Sequence, residues 1–135
     1  MDTTSLDRQL SDFVTMLVLA LRSGYSLRQV LEAMSARAPE PTASACRGWV
    51  ADLEAGCTYD EAFGNMQEAW PSPYLAQIVE TIAQNQQTGG NLAEQLDPLS
   101  EQIYQAVGTD EAFYPEMRHL ANAVQGPLPD RAREE

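Results

Sequence analysis

Leu6, Leu10, Phe13, Val14, Leu17 and Leu21 recur at the three-and-four spacing of a helix face, and Met16, Val18, Leu19 and Ala20 fill much of the opposite side. This first helix is therefore expected to be buried nearly all round and to lie at the centre of the molecule. Five further stripes follow: Leu27, Val30, Leu31 and Met34; Cys46, Trp49, Val50 and Leu53; Tyr59, Ala62, Phe63 and Met66; Leu75, Ile78, Val79 and Ile82; and Leu92, Leu96, Leu99 and Ile103. Stripes this narrow cannot be hidden within one hairpin. Six helices packed together can hide them, which predicts a compact all-α domain.

The breaks between the stripes repeat. Gly24-Tyr25-Ser26-Leu27 with Gln29, and Gly56-Cys57-Thr58-Tyr59 with Glu61, share one order: glycine, spacer, capping hydroxyl, apolar residue and capping-box partner. Gly89-Gly90-Asn91-Leu92 with Glu94 is the third instance, and the spacings from Gly24 to Gly56 and from Gly56 to Gly89 are 32 and 33 residues. Glycine supplies the left-handed backbone that ends one helix, and the hydroxyl or amide caps the next. Between the turns, Pro39-Glu40-Pro41 and Pro71-Ser72-Pro73 stop the chain, because a residue before proline avoids helical geometry. Ser72 and Pro73 then suit the cap and first position of a new helix. The fold class is a six-helix bundle built from three repeated helical hairpins, spanning residues 6–107 after a flexible lead at 1–5. Pro98 interrupts the last helix, so a kink is expected there, or a restart with Asp97 as cap. Residues 108–126 are expected to add one short helix around Met117, Leu120, Ala121 and Val124, and 127–135 a disordered tail.

Charge narrows the choice of partner. The net charge is -12, and from Gly48 to Met117 there are twelve Asp or Glu residues without one Lys or Arg. Nucleic acid and anionic membrane surfaces attract basic proteins, so neither is the expected direct partner; a basic protein face is. The candidate partner surface is Asp52, Glu54, Asp60 and Glu68 with the aromatic residues Trp70 and Tyr74 beside the second proline turn. The longest apolar run, Phe13 to Leu21 broken by Thr15, falls short of the roughly 20 residues of a membrane span, and the start does not resemble a signal peptide. The sequence reads as that of a soluble, cytoplasmic chain.

Catalytic constellations are hard to assemble. His119 is the single histidine, and lysine is absent, so neither a histidine-paired nucleophile nor a P-loop can be built. Cys46 and Cys57 fit no metal spacing, and a disulfide between them is excluded if a helix separates them. The acid pair Asp60-Glu61 does not converge, since neighbours on a helix point about 100° apart, and Asp110-Glu111 and Glu134-Glu135 lie in segments with no evident pocket. No catalytic residue, cofactor or metal is expected.

Taken together, Leu10-Ser11-Asp12-Phe13, Leu21-Arg22-Ser23-Gly24-Tyr25-Ser26-Leu27, Gly56-Cys57-Thr58-Tyr59-Asp60-Glu61-Ala62 and Gln86-Gln87-Thr88-Gly89-Gly90-Asn91-Leu92-Ala93-Glu94-Gln95-Leu96 resemble the F domain of type II secretion systems. This is the cytoplasmic domain of their platform proteins and of those of type IV pili. The double glycine and asparagine look most like the tight-adherence pilus branch, and Gln86 and Gln87 stand where the family often has glutamate. The resemblance implies a non-catalytic domain at the cytoplasmic side of the inner membrane, reaching the membrane only through segments absent from this chain. It also implies the assembly ATPase and sister platform domains, including a second copy of this chain, as partners. The alternative is a soluble helical-repeat adaptor whose concave groove binds a peptide, since tetratricopeptide arrays repeat at about 34 residues.

Overall fold

The computed structural model describes residues 3–111 together with 113 and 115. Among these, six helices form and no strand: α1 (Thr4–Arg22), α2 (Leu27–Arg37), α3 (Thr42–Glu54), α4 (Tyr59–Ala69), α5 (Pro73–Thr88) and α6 (Leu92–Val107). The chain goes up and down the bundle, and the two kinds of connection sort to opposite ends.

At one end lie the glycine turns. Gly24 and Gly56 have φ of 97° and 101°. Each turn closes with the paired bonds of a Schellman motif: Tyr25 N to Ala20 O at 3.1 Å with Gly24 N to Leu21 O at 3.1 Å, and Cys57 N to Asp52 O at 2.9 Å with Gly56 N to Leu53 O at 3.0 Å. Ser26 with Gln29 and Thr58 with Glu61 then complete reciprocal capping boxes for α2 and α4. The third turn is built differently. Asn91 accepts from the Glu94 N–H at 3.1 Å, while side-chain amides hold the glycine carbonyls: Asn85 donates to Gly89 O and Gly90 O at 3.2 and 3.1 Å, and Gln95 donates to Gly89 O at 3.2 Å.

At the other end the proline connections meet the first turns of α1. Gln9, 1% exposed, donates through Nε2 to Glu40 O at 2.9 Å and to Asp110 Oδ2 at 3.0 Å. Its Oε1 accepts from the Thr42 N–H at 3.2 Å and from the Thr42 hydroxyl. Two residues earlier, Asp7 accepts from Ser72, which in turn caps α5 at Tyr74 N and Leu75 N. Arg8 reaches Thr109 O at 3.1 Å. Three separate connections are thus gathered by Asp7, Arg8 and Gln9.

The tightest helix packing runs between hairpins: α1 lies along α6 and α2 along α3, with α3 on α4 and α5 on α6 next. Arg22 in the last turn of α1 pairs with Asp97 of α6 at 3.5 Å, so α1 and α6 are antiparallel neighbours. A solenoid keeps its first and last helices apart, since each repeat touches only its neighbours; here they form a major contact and the bundle closes. α1 also touches α2, α3 and α5 and buries Val14, Leu17 and Ala20 completely, while Leu19 is an exposed hydrophobic at 39% and Thr4, Ser5, Arg8 and Arg22 are exposed too.

Pro98 does not restart the last helix. α6 is one element with Pro98 inside it. Proline leaves the Glu94 carbonyl without its helical donor, and both residues are exposed, so water can take the place of the missing N–H. Beyond α6, Phe113 is fully buried; the remainder of the short helix expected at 108–126, and the tail at 127–135, lie outside the described residues, as does His119.

Candidate functional site

α3 and α4 form the hairpin that carries the acidic and aromatic candidates. Its interior is fixed by Trp49, whose ring centroid lies 5.1 Å from those of both Tyr59 and Phe63, edge-on to the first and tilted to the second. Trp49 is fully buried, and its indole Nε1 has no hydrogen-bond acceptor among the described residues. Such an orphan donor costs about 1–3 kcal/mol, offset here by burial of the large ring.

A cleft of about 220 Å³ opens above this floor, lined by Ala45, Gly48, Trp49, Asp52, Asn65, Met66, Ala69 and Trp70. Its walls are low because Ala45 and Gly48 on α3 and Ala69 on α4 carry almost no side chain; the space a Cβ would occupy at Gly48 is open to 4 Å. Asn65 donates to Asp52 Oδ2 at 3.1 Å, which orients that carboxylate at the mouth. Trp70 follows the last turn of α4 and is held by its own carbonyl, which accepts from the Ser72 N–H at 2.8 Å.

Of the six surface candidates, the structure brings Asp52 and Trp70 together on this cleft. Glu54, Asp60 and Glu68 are exposed and do not line it, and Tyr74 is half-buried at the start of α5. Asp60 sits in the first turn of α4, where the helix dipole favours an acid. Ala45, Gly48, Asn65 and Ala69 were not legible as cleft residues. The available signal was negative: small residues at three- and four-residue spacing on α3 and α4, leaving a strip without bulk.

The cation nearest in sequence is turned away. Arg47 donates to Ser35 O at 3.1 Å and to Ser44 Oγ at 2.8 Å, and it pairs with Glu40. Bonds from Arg47 and then Ser44 hold the Glu40 carboxyl below the usual carboxylate range. Neither cysteine is a ready nucleophile. Burial pushes the Cys46 thiol far up; burial, followed by the charges of Asp52 and Glu61, raises that of Cys57. Both thiols are free. Among the described residues no cluster of His, Cys, Asp or Glu is placed to hold a metal, and no helix is long and apolar enough to cross a membrane.

The described residues thus form a closed all-helical bundle with a small-walled cleft that carries one carboxylate, Asp52. Residues 13–118 match the family of type II secretion system (T2SS) protein F, and the chain belongs to that family. Its members are non-catalytic domains of the platform proteins of type II secretion and type IV pilus machines. No curated protein and no solved structure matches the chain.

Proposed function

We propose that this chain is the cytoplasmic domain of an inner-membrane platform protein, of the tight-adherence pilus type, that couples the assembly ATPase to the handling of pilus subunits. It acts by docking, through the acidic half of the bundle, onto basic surfaces of that ATPase or of sister platform domains, including a second copy of itself. The observation that carries this reading is the family membership combined with the charge division: a family of secretion-machine components, here with no Lys or Arg between Gly48 and Met117. Complementary charge of this kind sets orientation and encounter rate more than affinity, and the coupling itself is mechanical, with a rigid bundle passing movement along its helices.

Titration of the purified chain against the cognate secretion ATPase at low and at moderate salt tests this. Association is expected, with an on-rate that falls as salt rises. Absence of association at both salts refutes the docking reading. Reversal of the exposed acids, Glu54, Asp60 and Glu68 to lysine, is expected to slow association about tenfold or more while leaving the folded domain intact.

A further inference from the structure

We propose that the α3–α4 cleft is an arginine socket: it takes one arginine side chain presented by a partner protein, with the guanidinium against Trp70 and the carboxylate of Asp52. This rests on the docking reading of the acidic half and names the anchor within it. Size comes first. Pockets for small molecules begin at about 300 Å³; at about 220 Å³ the cleft suits a single side chain rather than a free ligand or a length of peptide.

Chemistry selects the side chain. The apolar lining of Ala45, Met66, Ala69 and the two tryptophans accepts an aliphatic stem, and the one carboxylate in the lining is at Asp52. A long apolar stem ending in a cation fits that division, and an acid does not. The helices around the socket reinforce the sign: Glu54, Asp60, Glu61 and Glu68 belong to α3 and α4, while Arg47 is held away at Ser35, Glu40 and Ser44. Arginine is preferred to lysine because its planar head stacks on an indole face and still offers N–H groups in its plane to a carboxylate, whereas an ammonium is a compact, strongly hydrated charge. Asn65 strengthens the choice by fixing Asp52 Oδ2 at 3.1 Å before any partner arrives.

Trp49 and Trp70 are the two tryptophans of the chain, and both line the socket, so their indole N–H signals in a nitrogen-labelled NMR spectrum report on it directly. The full chain is titrated with a blocked Ala-Ala-Arg-Ala-Ala peptide and with the same peptide carrying citrulline, lysine or leucine at the centre. The expected result is saturable movement of both signals by the arginine peptide at millimolar concentration, and binding about tenfold weaker or worse for the other three. Asp52→Asn, which keeps the shape of the side chain, is expected to lower arginine affinity about tenfold; Ala69→Leu, which fills the cleft, abolishes the response. Glu32→Gln, an exposed acid on α2 that neither lines the cleft nor belongs to the acidic half, leaves it within about twofold. Citrulline or leucine binding as well as arginine, or no movement of either signal, overturns the socket. The ATPase titration keeps the two readings apart: if Asp52→Asn binds the ATPase as the parent chain does while the arginine peptide is silent, the docking face stands and the socket falls.

Discussion

The two ends of the bundle solve the same problem by different physics. At the glycine end, each turn is closed by groups within a few residues of one another, through Schellman bonds, capping boxes and, at the third turn, the amides of Asn85 and Gln95. At the proline end, closure is long-range: Gln9 alone spans 31 residues to Glu40, 33 to Thr42 and 101 to Asp110. The glycine turns can form as their helices form. The proline end exists only once α1, α3 and the segment after α6 have been brought together. Local closure sets where each helix stops; distant closure sets which helices become neighbours.

The contrast yields four predictions, from the largest effect to the smallest. Gln9→Ala leaves the buried Thr42 N–H and Thr42 hydroxyl without their partner and frees the carbonyl of the exposed Glu40, and it should cost about 3 kcal/mol in urea unfolding. Gly56→Ala meets no neighbouring atom within 4 Å, so its cost is that of holding alanine at φ of 101°, about 1–2 kcal/mol. If Gly56→Ala proves the more damaging of the two, the bundle is held by its turns and the contrast is wrong. Thr58→Ala should cost about 1 kcal/mol, and adding Glu61→Ala should cost little more, because the two side chains belong to one capping box.

The smallest effect has the opposite sign. Partial burial, and then the charge of Asp110, push the Asp12 carboxyl above its ordinary value of 3.8. Folded protein then holds that proton to higher pH than the unfolded chain does, so stability is lost as pH rises from 3.8 through the raised value. Asp12→Asn should gain a little stability at neutral pH, a gain kept small by solvent screening of the half-buried carboxyl, and flatten this part of the stability profile. A loss of stability at neutral pH would show that the carboxylate is compensated in the fold.

Most of the local code was readable in the chain. Gly24, Ser26, Gln29, Gly56, Thr58 and Glu61 stand at the turns with the bonds their residue types suit, because those bonds join near neighbours. Leu27, Val30, Leu31 and Met34 are all buried, as are Leu75, Ile78, Val79 and Ile82, because periodicity alone identifies a buried face. What periodicity cannot give is the partner of that face. That α1 pairs most closely with α6 depends on contacts some eighty residues apart. Gln9 is one polar residue in the first helix by type, and only two arriving segments, the Glu40–Thr42 connection and the stretch after α6, make it a buried hub. Phe113, fully buried, falls in the 108–126 stretch but outside the apolar set around which its helix is expected. The cleft was half legible: the charge of Asp52 and the ring of Trp70 are visible as residue types, while the room between them comes from side chains that are small.

The antiparallel pairing of α1 and α6 also has a mechanical meaning. The chain enters α1 and leaves α6 at the proline end, so a tether attached to either flank pulls on the bundle from the same side. The 19 residues of α1 carry the opposite end roughly 28 Å away from that attachment. A load applied along the helix axes at the glycine turns would be shared by both flanking helices along their common seam.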